Sequence, residues 1–318
     1  MIEPGLLTTV QDFGRPDFVD LGVPAGGACD GWSLAVANAL AGNARDAAAL
    51  ELTLAGPSLR ALDHCLLGLA GADLVARVVE TGERVASGTS FTLAAGHTLA
   101  FAAASERAGI RAYLAPAGGV DVPIVLGSAS TCLVGGFGGL DGRPLSAGDV
   151  VRLGSRSTIE NDNRLHWKGG PQPALEATRR PLRVLPGPHL YGLPLSSFER
   201  LLASEYRVSA RGDRQGIVLE GPPLPAAGRQ SEMLSQGVPW GAIQLPPDGR
   251  PICLLADHGT VGGYPVVAVV ISADLPLLGQ LGPGDPLTFR QVSPADASTA
   301  LRRQAADWQA GLAALEHP

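Results

Sequence analysis

At 318 residues the chain is longer than one hydrophobic core usually sustains, so two domains are the first expectation. Hydrophobic residues make up 45% and charged residues only 17%, which suits a well-packed body and leaves few charges to coat a free surface, so a partner is expected to cover part of it. A formal charge of -6 gives no attraction for phosphate backbones, which argues against nucleic acid; the apolar runs are too short for a membrane span, and MIEPGLLTTVQDFG lacks the basic and apolar segments of a signal peptide. A cytoplasmic protein with no membrane contact is the expectation.

The 42 glycines and 26 prolines punctuate short apolar stretches, favouring many short strands over long helices. The first polar cluster, TTVQDFGRP, carries Thr8, Thr9, Gln11, Asp12 and Arg15, with Asp30 close behind. Asp12 and Arg15 fit either a substrate-orienting pair, since a guanidinium offers two donors to a carboxylate or ureido oxygen, or an internal salt bridge that fixes the loop. Asp30 is placed to cap a helix over Gly31 to Leu40, with Trp32, Ala35, Val36 and Ala39 near helical spacing. ARVV, TSFTLAAG, HTLAFAAA and GIRAYLAPAGG read as antiparallel strands.

LGSAST, Leu126 to Thr131, offers hydroxyls without a visible base, so Ser128 suits a turn cap or ligand donor better than a nucleophile. GGFGG, Gly135 to Gly139, lacks the lysine and long helix of a phosphate loop and reads as a close-packed turn. Between Gly154 and Arg180 the sequence turns polar and rich in turn formers, a boundary that divides the chain into 1–155 and 178–318 with 156–177 as linker. LSAGDVVRL before that boundary and LGPGDPLTFR near the end share a glycine-aspartate turn, a weak sign of duplication.

In the second half, Asp213 and Arg214 precede a strand, where they face solvent, each other or an acidic ligand. A strand around Gly241 to Leu245, a PPDG turn and a buried strand through Leu255 predict a hairpin, followed by a polar bend and another strand from Val266. Gln244 then lies beside Asp257, His258 and Thr260. His258 next to Asp257 has the residue types for acid–base work, but adjacent side chains point apart and no nucleophile accompanies them. The end predicts a helix capped by Ser293, with Pro294 in its first turn and Leu301, Ala305, Trp308, Leu312 and Leu315 in one packing stripe. Cys29, Cys65, Cys132 and Cys253 are widely spaced among small or apolar residues and read as buried thiols; no spacing suggests a metal site.

In order, GLLTTVQDFGRPDFVDLGVPAGGACD, IRAYLAPAGGVDVPIVLGSAST, GRPLSAGDVV, RVLPGP and GAIQLPPDGRPICLLADHGTVGGYPVVAVVISADLPLLGQLGPGD resemble the carboxyltransferase-type family. That family includes allophanate hydrolase subunit 2-like proteins, the Kip antagonist protein and the C subunit of 5-oxoprolinase, and the likeness runs from Gly5 to about Arg290. It implies a mainly β fold, two cyclophilin-like β-barrel domains with few helices. It also implies the C subunit of an ATP-dependent 5-oxoprolinase complex that opens 5-oxo-L-proline to L-glutamate, inactive without a Kip-inhibitor-like B subunit together with an A subunit. The alternatives it carries are a regulatory protein that binds a Kip-inhibitor-like partner, and a carboxyltransferase component acting with carboxybiotin on urea or a related amide.

This chain has neither a biotinyl-lysine segment of the A-M-K-M kind nor a G-x-x-x-x-G-K-[ST] loop, so no cofactor is expected on it alone; ATP belongs to the complex and biotin to the last alternative. The family commonly has TTGGYP after DRQ, where this chain reads DHGTVGGYP, departing at His258, Gly259 and Val261. It departs again at Ala129, where arginine is frequent, and at Gln215, where an apolar residue is usual. Polar clustering and resemblance together give Asp12, Arg15, Ser128, Asp213, Arg214, Gln244, Asp257, Thr260 and Tyr264 as candidates for substrate or partner binding. The catalytic base is unassigned.

Overall fold

Apolar alternation between glycine and proline turns yields strands throughout the computed structural model, which describes residues 1–102, 108–155, 164–168, 170, 173–225 and 233–316. The result is the mainly β fold expected, two barrel-like units with few helices. Much of the segment read as a linker, and the end of the HTLAFAAA run, lie outside the described residues.

In the first unit an antiparallel sheet runs Leu7–Gln11, Ala49–Thr53, Arg111–Pro116, Cys65–Gly71, Thr89–Leu93. A second sheet orders Ser58–Arg60, Thr98–Phe101, Ala76–Val78, Arg84–Val85. Val10, Leu52, Leu67, Phe91, Leu99 and Leu114 fill the space within this unit, removing apolar surface from water. In the second unit eight strands follow the order Pro286–Leu287, Tyr206–Gly212, Gly216–Glu220, Ile252–Leu254, Ala242–Gln244, Val266–Val270, Leu182–Pro186, Phe289–Gln291. The strands at the two ends of that order are separated in sequence by Thr288 alone, so the sheet nearly closes on itself and leaves little open edge.

The expected hairpin is present: Ile243 faces Cys253 across the antiparallel pair, with Gly249 at φ 76 in the turn, and Gln244 is flanked by Ile252 on one side and Val266 on the other. The two glycine-aspartate turns also match in geometry. Asp149 accepts a hydrogen bond from Ser146 N at 2.7 Å and Asp285 from Gly282 N at 2.8 Å, with Gly148 at φ 91 and Gly284 at φ 83. Only the second turn leads directly into paired strands.

Asp30 caps the helix Gly31–Leu40 as read, accepting from Ser33 N at 2.9 Å. The helix is buried on nearly all sides because the sheet lies on one side and Trp167 and Trp308 on the other. Trp32 meets Trp167 and Trp308 edge-on, with ring centroids 6.4 and 5.7 Å away. In the terminal helix Pro294–Glu316, Ser293 Oγ accepts from Asp296 N at 3.1 Å, and Asp296 accepts in return from Ser293 N at 3.1 Å. The packing stripe needs correction: Leu301 is 50% exposed and Ala305 is also exposed. Contact begins a turn later, at Gln304 and Trp308, and at Gly311 a Cβ would lie 2.2 Å from Trp167, so the missing side chain admits the indole.

The helix Gly31–Leu40 rests on the strand Cys65–Gly71 at Gly68, where a Cβ would sit 2.1 Å from the Ala37 carbonyl oxygen. Overpacking of this kind against backbone costs about 1–3 kcal/mol. Gly68→Ala is therefore expected to lower the unfolding free energy by that amount, read as a lower urea midpoint with an unchanged denaturant slope. An unaltered midpoint would show that the helix does not depend on this contact.

Candidate functional site

The junction between the units is built by charges. Arg214, at the bend before the strand Gly216–Glu220, is 2% exposed, and its guanidinium crosses to the first unit. Its Nε and Nη2 donate to the Asp257 carboxylate at 2.8 and 3.1 Å, Nη1 donates to Glu51, and Nη2 also reaches the Gly27 carbonyl at 2.5 Å. Backbone pairing fixes this fork, because Asp257 N donates to Arg214 O at 2.9 Å. Glu51 lies mid-strand in Ala49–Thr53; its other oxygen accepts from Cys29 N at 2.9 Å and from the Tyr113 hydroxyl at 2.7 Å. Arg111 Nε stands 3.5 Å from Glu51, and Arg111 Nη1 donates to the Gly279 carbonyl. Two buried cations, Arg111 and Arg214, thus face two buried anions, Glu51 and Asp257.

Gln280 completes the junction. Its Oε1 accepts from Ile110 N and Arg111 N at 3.0 and 2.9 Å, while Nε2 donates to Asp30 and to Arg111 O at 2.7 and 2.8 Å. Burial disfavours charge on Arg214, yet Cys29, Glu51 and Asp257 facing it hold its pKa well above the ordinary value. For Glu51 burial acts upward, but Arg214 and Arg111 outweigh it and bring the pKa below the usual 4.5. Burial pushes Cys29 up to about 11 and Asp30 up to about 6, although Gln280 and Ser33 favour the Asp30 carboxylate.

Beside this network sits a second group built on the loop after Leu7–Gln11. Asp12 does not pair with Arg15 among the described residues, so the internal salt bridge read from the sequence is not formed. Instead the Asp12 carboxylate accepts from the Ser128 hydroxyl and Ala129 N, both at 2.6 Å, from Gly14 N at 2.7 Å, and from the Ser130 hydroxyl. Ser128 thereby fastens its loop to Asp12, and its hydroxyl also accepts from Ser130 N at 3.0 Å. Arg15 is 2% exposed; its Nη2 donates to Ser130 O at 2.6 Å, its Nε to Val125 O at 3.3 Å, and its guanidinium lies 5.1 Å from the Phe137 ring centre. The GGFGG loop is close-packed as expected, and a Cβ on Gly138 would meet Ser130 O at 2.1 Å. Burial lowers the Arg15 pKa more than Cys132, Asp12 and Asp257 raise it.

Arg15 and Asp257 come together across Gly26, where a methyl group would lie 3.4 Å from Arg15 Nη1 and 3.7 Å from Asp257 Oδ1. Asp12, Arg15, Ser128, Arg214 and Asp257 therefore share one seam. Asp213 does not join them: it is exposed and accepts from Gln215 N at 2.7 Å, stabilising its own turn. Gln244 lies behind Gly262, where a Cβ would come within 2.2 Å of its Nε2, and that Nε2 is buried without a partner among the described residues. Thr260 gives its carbonyl to Val238 N at 3.1 Å, and Tyr264 is 43% exposed. His258 is buried, its Nδ1 lies 2.7 Å from Gly259 O, and burial lowers its pKa. A cavity of about 840 Å³ opens elsewhere, in the first unit, and none of its lining residues is a candidate or holds an unpartnered buried polar atom.

Glu51, Arg111, Tyr113, Phe137 and Gln280 were missed from sequence. The available signal was a glutamate inside the apolar run ALELT and the alternation of Arg111 and Tyr113 on one face of IRAYLAP.

The fold and seam together define a paired-barrel β protein whose buried polar groups lie at the junction. The chain belongs to the carboxyltransferase domain family, subdomain A and B, with the match spanning residues 21–291. It is 37% identical over 306 residues to the 5-oxoprolinase C subunit of Escherichia coli (strain K12), with 96% of this chain and 94% of that protein covered. The Haemophilus influenzae 5-oxoprolinase C subunit is 33% identical over 296 residues, 93% of this chain and 91% of that one. Urea amidolyase of Lachancea kluyveri is 32% identical, but 91% of this chain corresponds to only 17% of that protein. The crystal structure of Kluyveromyces lactis urea carboxylase matches 96% of this chain and 28% of its own length, with a TM-score of 0.82 at 29% identity.

Glu51 supplies a test of the junction. Its depressed folded pKa means that its contribution is fully present above about 4.5 and is lost as pH falls through the folded value. Asp30 acts in the opposite sense: its raised pKa gives stability present below 3.8 and lost as pH rises through about 6. Glu51→Gln, which leaves the two buried cations Arg111 and Arg214 facing the single anion Asp257, is expected to cost about 3–5 kcal/mol at neutral pH. Urea titrations at several pH values should show this deficit shrinking below 4.5; a deficit that stays constant with pH would assign the loss to packing.

Proposed function

We propose that the chain is the C subunit of an ATP-dependent 5-oxoprolinase, a cytoplasmic complex that opens 5-oxo-L-proline to L-glutamate. The observation that carries this reading is the likeness itself: the chain is 37% identical over 306 residues to the Escherichia coli C subunit and 32% identical to the urea amidolyase of Lachancea kluyveri. In the overall reaction water adds its oxygen to the lactam carbonyl carbon, the ring C–N bond breaks, and the nitrogen leaves as the amine of glutamate. ATP is consumed by the complex, and a Kip-inhibitor-like B subunit together with an A subunit supplies the rest of the machinery.

The seam supports a binding and positioning role for this chain within the complex. The Ser128 proton is committed to Asp12, and the Arg214 fork is filled by Asp257 and Glu51. Arg15 and Asp257, buried on either side of Gly26, complete the polar support of the seam. Carboxyl transfer from carboxybiotin to a urea-like amide is the second reading, supported by the likeness to the Kluyveromyces lactis urea carboxylase structure.

Reconstitution tests both. Mixed with its two companion subunits, the chain is expected to be required for ATP-dependent formation of glutamate from 5-oxo-L-proline. Full activity in its absence rejects the proposal, and carboxylation of urea by carboxybiotin in the reconstituted system would favour the second reading.

A further inference from the structure

The cavity of about 840 Å³ in the first unit takes no part in the junction. The buried Leu50, Leu67, Leu99 and Leu114 close it beneath, and the half-buried Leu59, Cys65 and Val151 line its sides. It opens between Leu62, Val150 and Leu153, all three exposed, so apolar surface continues from the floor to the mouth. Leu50 pairs with Leu114 across the strands Ala49–Thr53 and Arg111–Pro116, while the next pair, Glu51 and Tyr113, points the other way into the junction. The cavity thus lies behind the sheet face that meets the buried charges. Its volume falls within the roughly 300–1,000 Å³ typical of small-molecule pockets, and its apolar lining is the kind such pockets have.

The walls select the occupant. No lining side chain holds a buried polar atom without a partner among the described residues, so nothing at depth would offset the dehydration of an ion or a hydroxyl. Charge is confined to the rim, where Arg60 and Arg152 are set against Asp63 and Asp121, with His64 beside them. All five are exposed, and none enters an ion pair among the described residues. Asp149, the remaining carboxylate, is taken by Arg143, whose Nη1 and Nη2 donate to it at 2.8 and 3.0 Å. Exposed charges of both signs are screened by water and favour neither a cation nor an anion. We propose that this cavity is a binding site for a small amphiphile, whose uncharged apolar body enters between the leucines while its polar end stays in water at the rim. Such a site is independent of the lactam-opening reading, since none of its residues belongs to the seam.

Calorimetric titration of the full chain with the straight-chain alcohols from 1-butanol to 1-octanol tests the site. Affinity is expected to rise about fourfold with each added methylene, as one more CH₂ leaves water. The diol 1,8-octanediol, which must carry a hydroxyl to the apolar floor, is expected to bind about 5- to 150-fold more weakly than 1-octanol. Cys65 reports where the alcohol sits, because it is half-buried at the cavity while Cys29, Cys132 and Cys253 are buried. Saturating 1-octanol is expected to slow iodoacetamide labelling of Cys65, read by peptide mass. Ala61→Phe, which places a ring at a lining position, is expected to weaken 1-octanol about tenfold or more, the equivalent of excluding two methylenes. Circular dichroism melts establish that this variant is folded; if it is not, the alcohol series and Cys65 labelling of the unaltered chain decide. Affinity that is flat with chain length, equal affinity for 1-octanol and the diol, Cys65 labelled at the same rate with and without 1-octanol, or unaltered affinity in folded Ala61→Phe would each overturn the site.

Discussion

Arg214 reaches out of one β unit and ends between two carboxylates, one from each unit, and the rest of the structure is arranged around that buried cation. Withdrawing a guanidinium from water costs several kcal/mol, recovered only where every donor meets an acceptor in good geometry. Asp257 meets it as a bidentate partner from its own unit, Glu51 meets it from the other, and the Gly27 carbonyl takes a remaining donor. Any displacement between the units separates these charges in a medium that screens them poorly. The junction is thus selective about geometry in a way that apolar contact alone is not.

The same constraint places the candidate site. Because Asp257 is tied to Arg214, its second role, facing Arg15 across Gly26, comes at a fixed position. Arg15 in turn is held by carbonyls of the segment Val125 to Ser130, which Asp12 fastens through Ser128, Ala129 and Ser130. Three stretches far apart in sequence, around residues 12–26, 128–138 and 257, converge because hydrogen bonds from one set the acceptors of the next. A site on such a support keeps its polar groups aimed without reorganisation when substrate arrives.

Local chemistry was well expressed in the sequence. Asp30 and Ser293 cap the helices assigned to them, the PPDG hairpin forms in register, and the repeated glycine-aspartate turns take one geometry, since each depends on residues within a few positions. The site was legible by halves: Asp12, Arg15, Ser128, Arg214 and Asp257 drew notice as polar residues beside turns, but their partners did not. Glu51 and Tyr113 stand in strands whose neighbours are apolar, so only tertiary pairing reveals that they answer Arg214 and Asp30. The internal Asp12–Arg15 salt bridge does not form for a related reason, because nearness in sequence competed with the Ser128 loop 116 residues away and lost. The terminal stripe erred where periodicity continued past the end of the surface that the helix covers.

The claim that a charge-neutral buried cluster fixes the two units against each other is tested most directly by a double-mutant cycle on Arg214→Met and Glu51→Gln, read by urea unfolding of the full chain. The account predicts a coupling energy of at least about 1.5 kcal/mol, as found for close buried charge pairs. Single losses that add to within about 0.5 kcal/mol would contradict it, and would leave the junction to apolar packing and the Gln280 bonds.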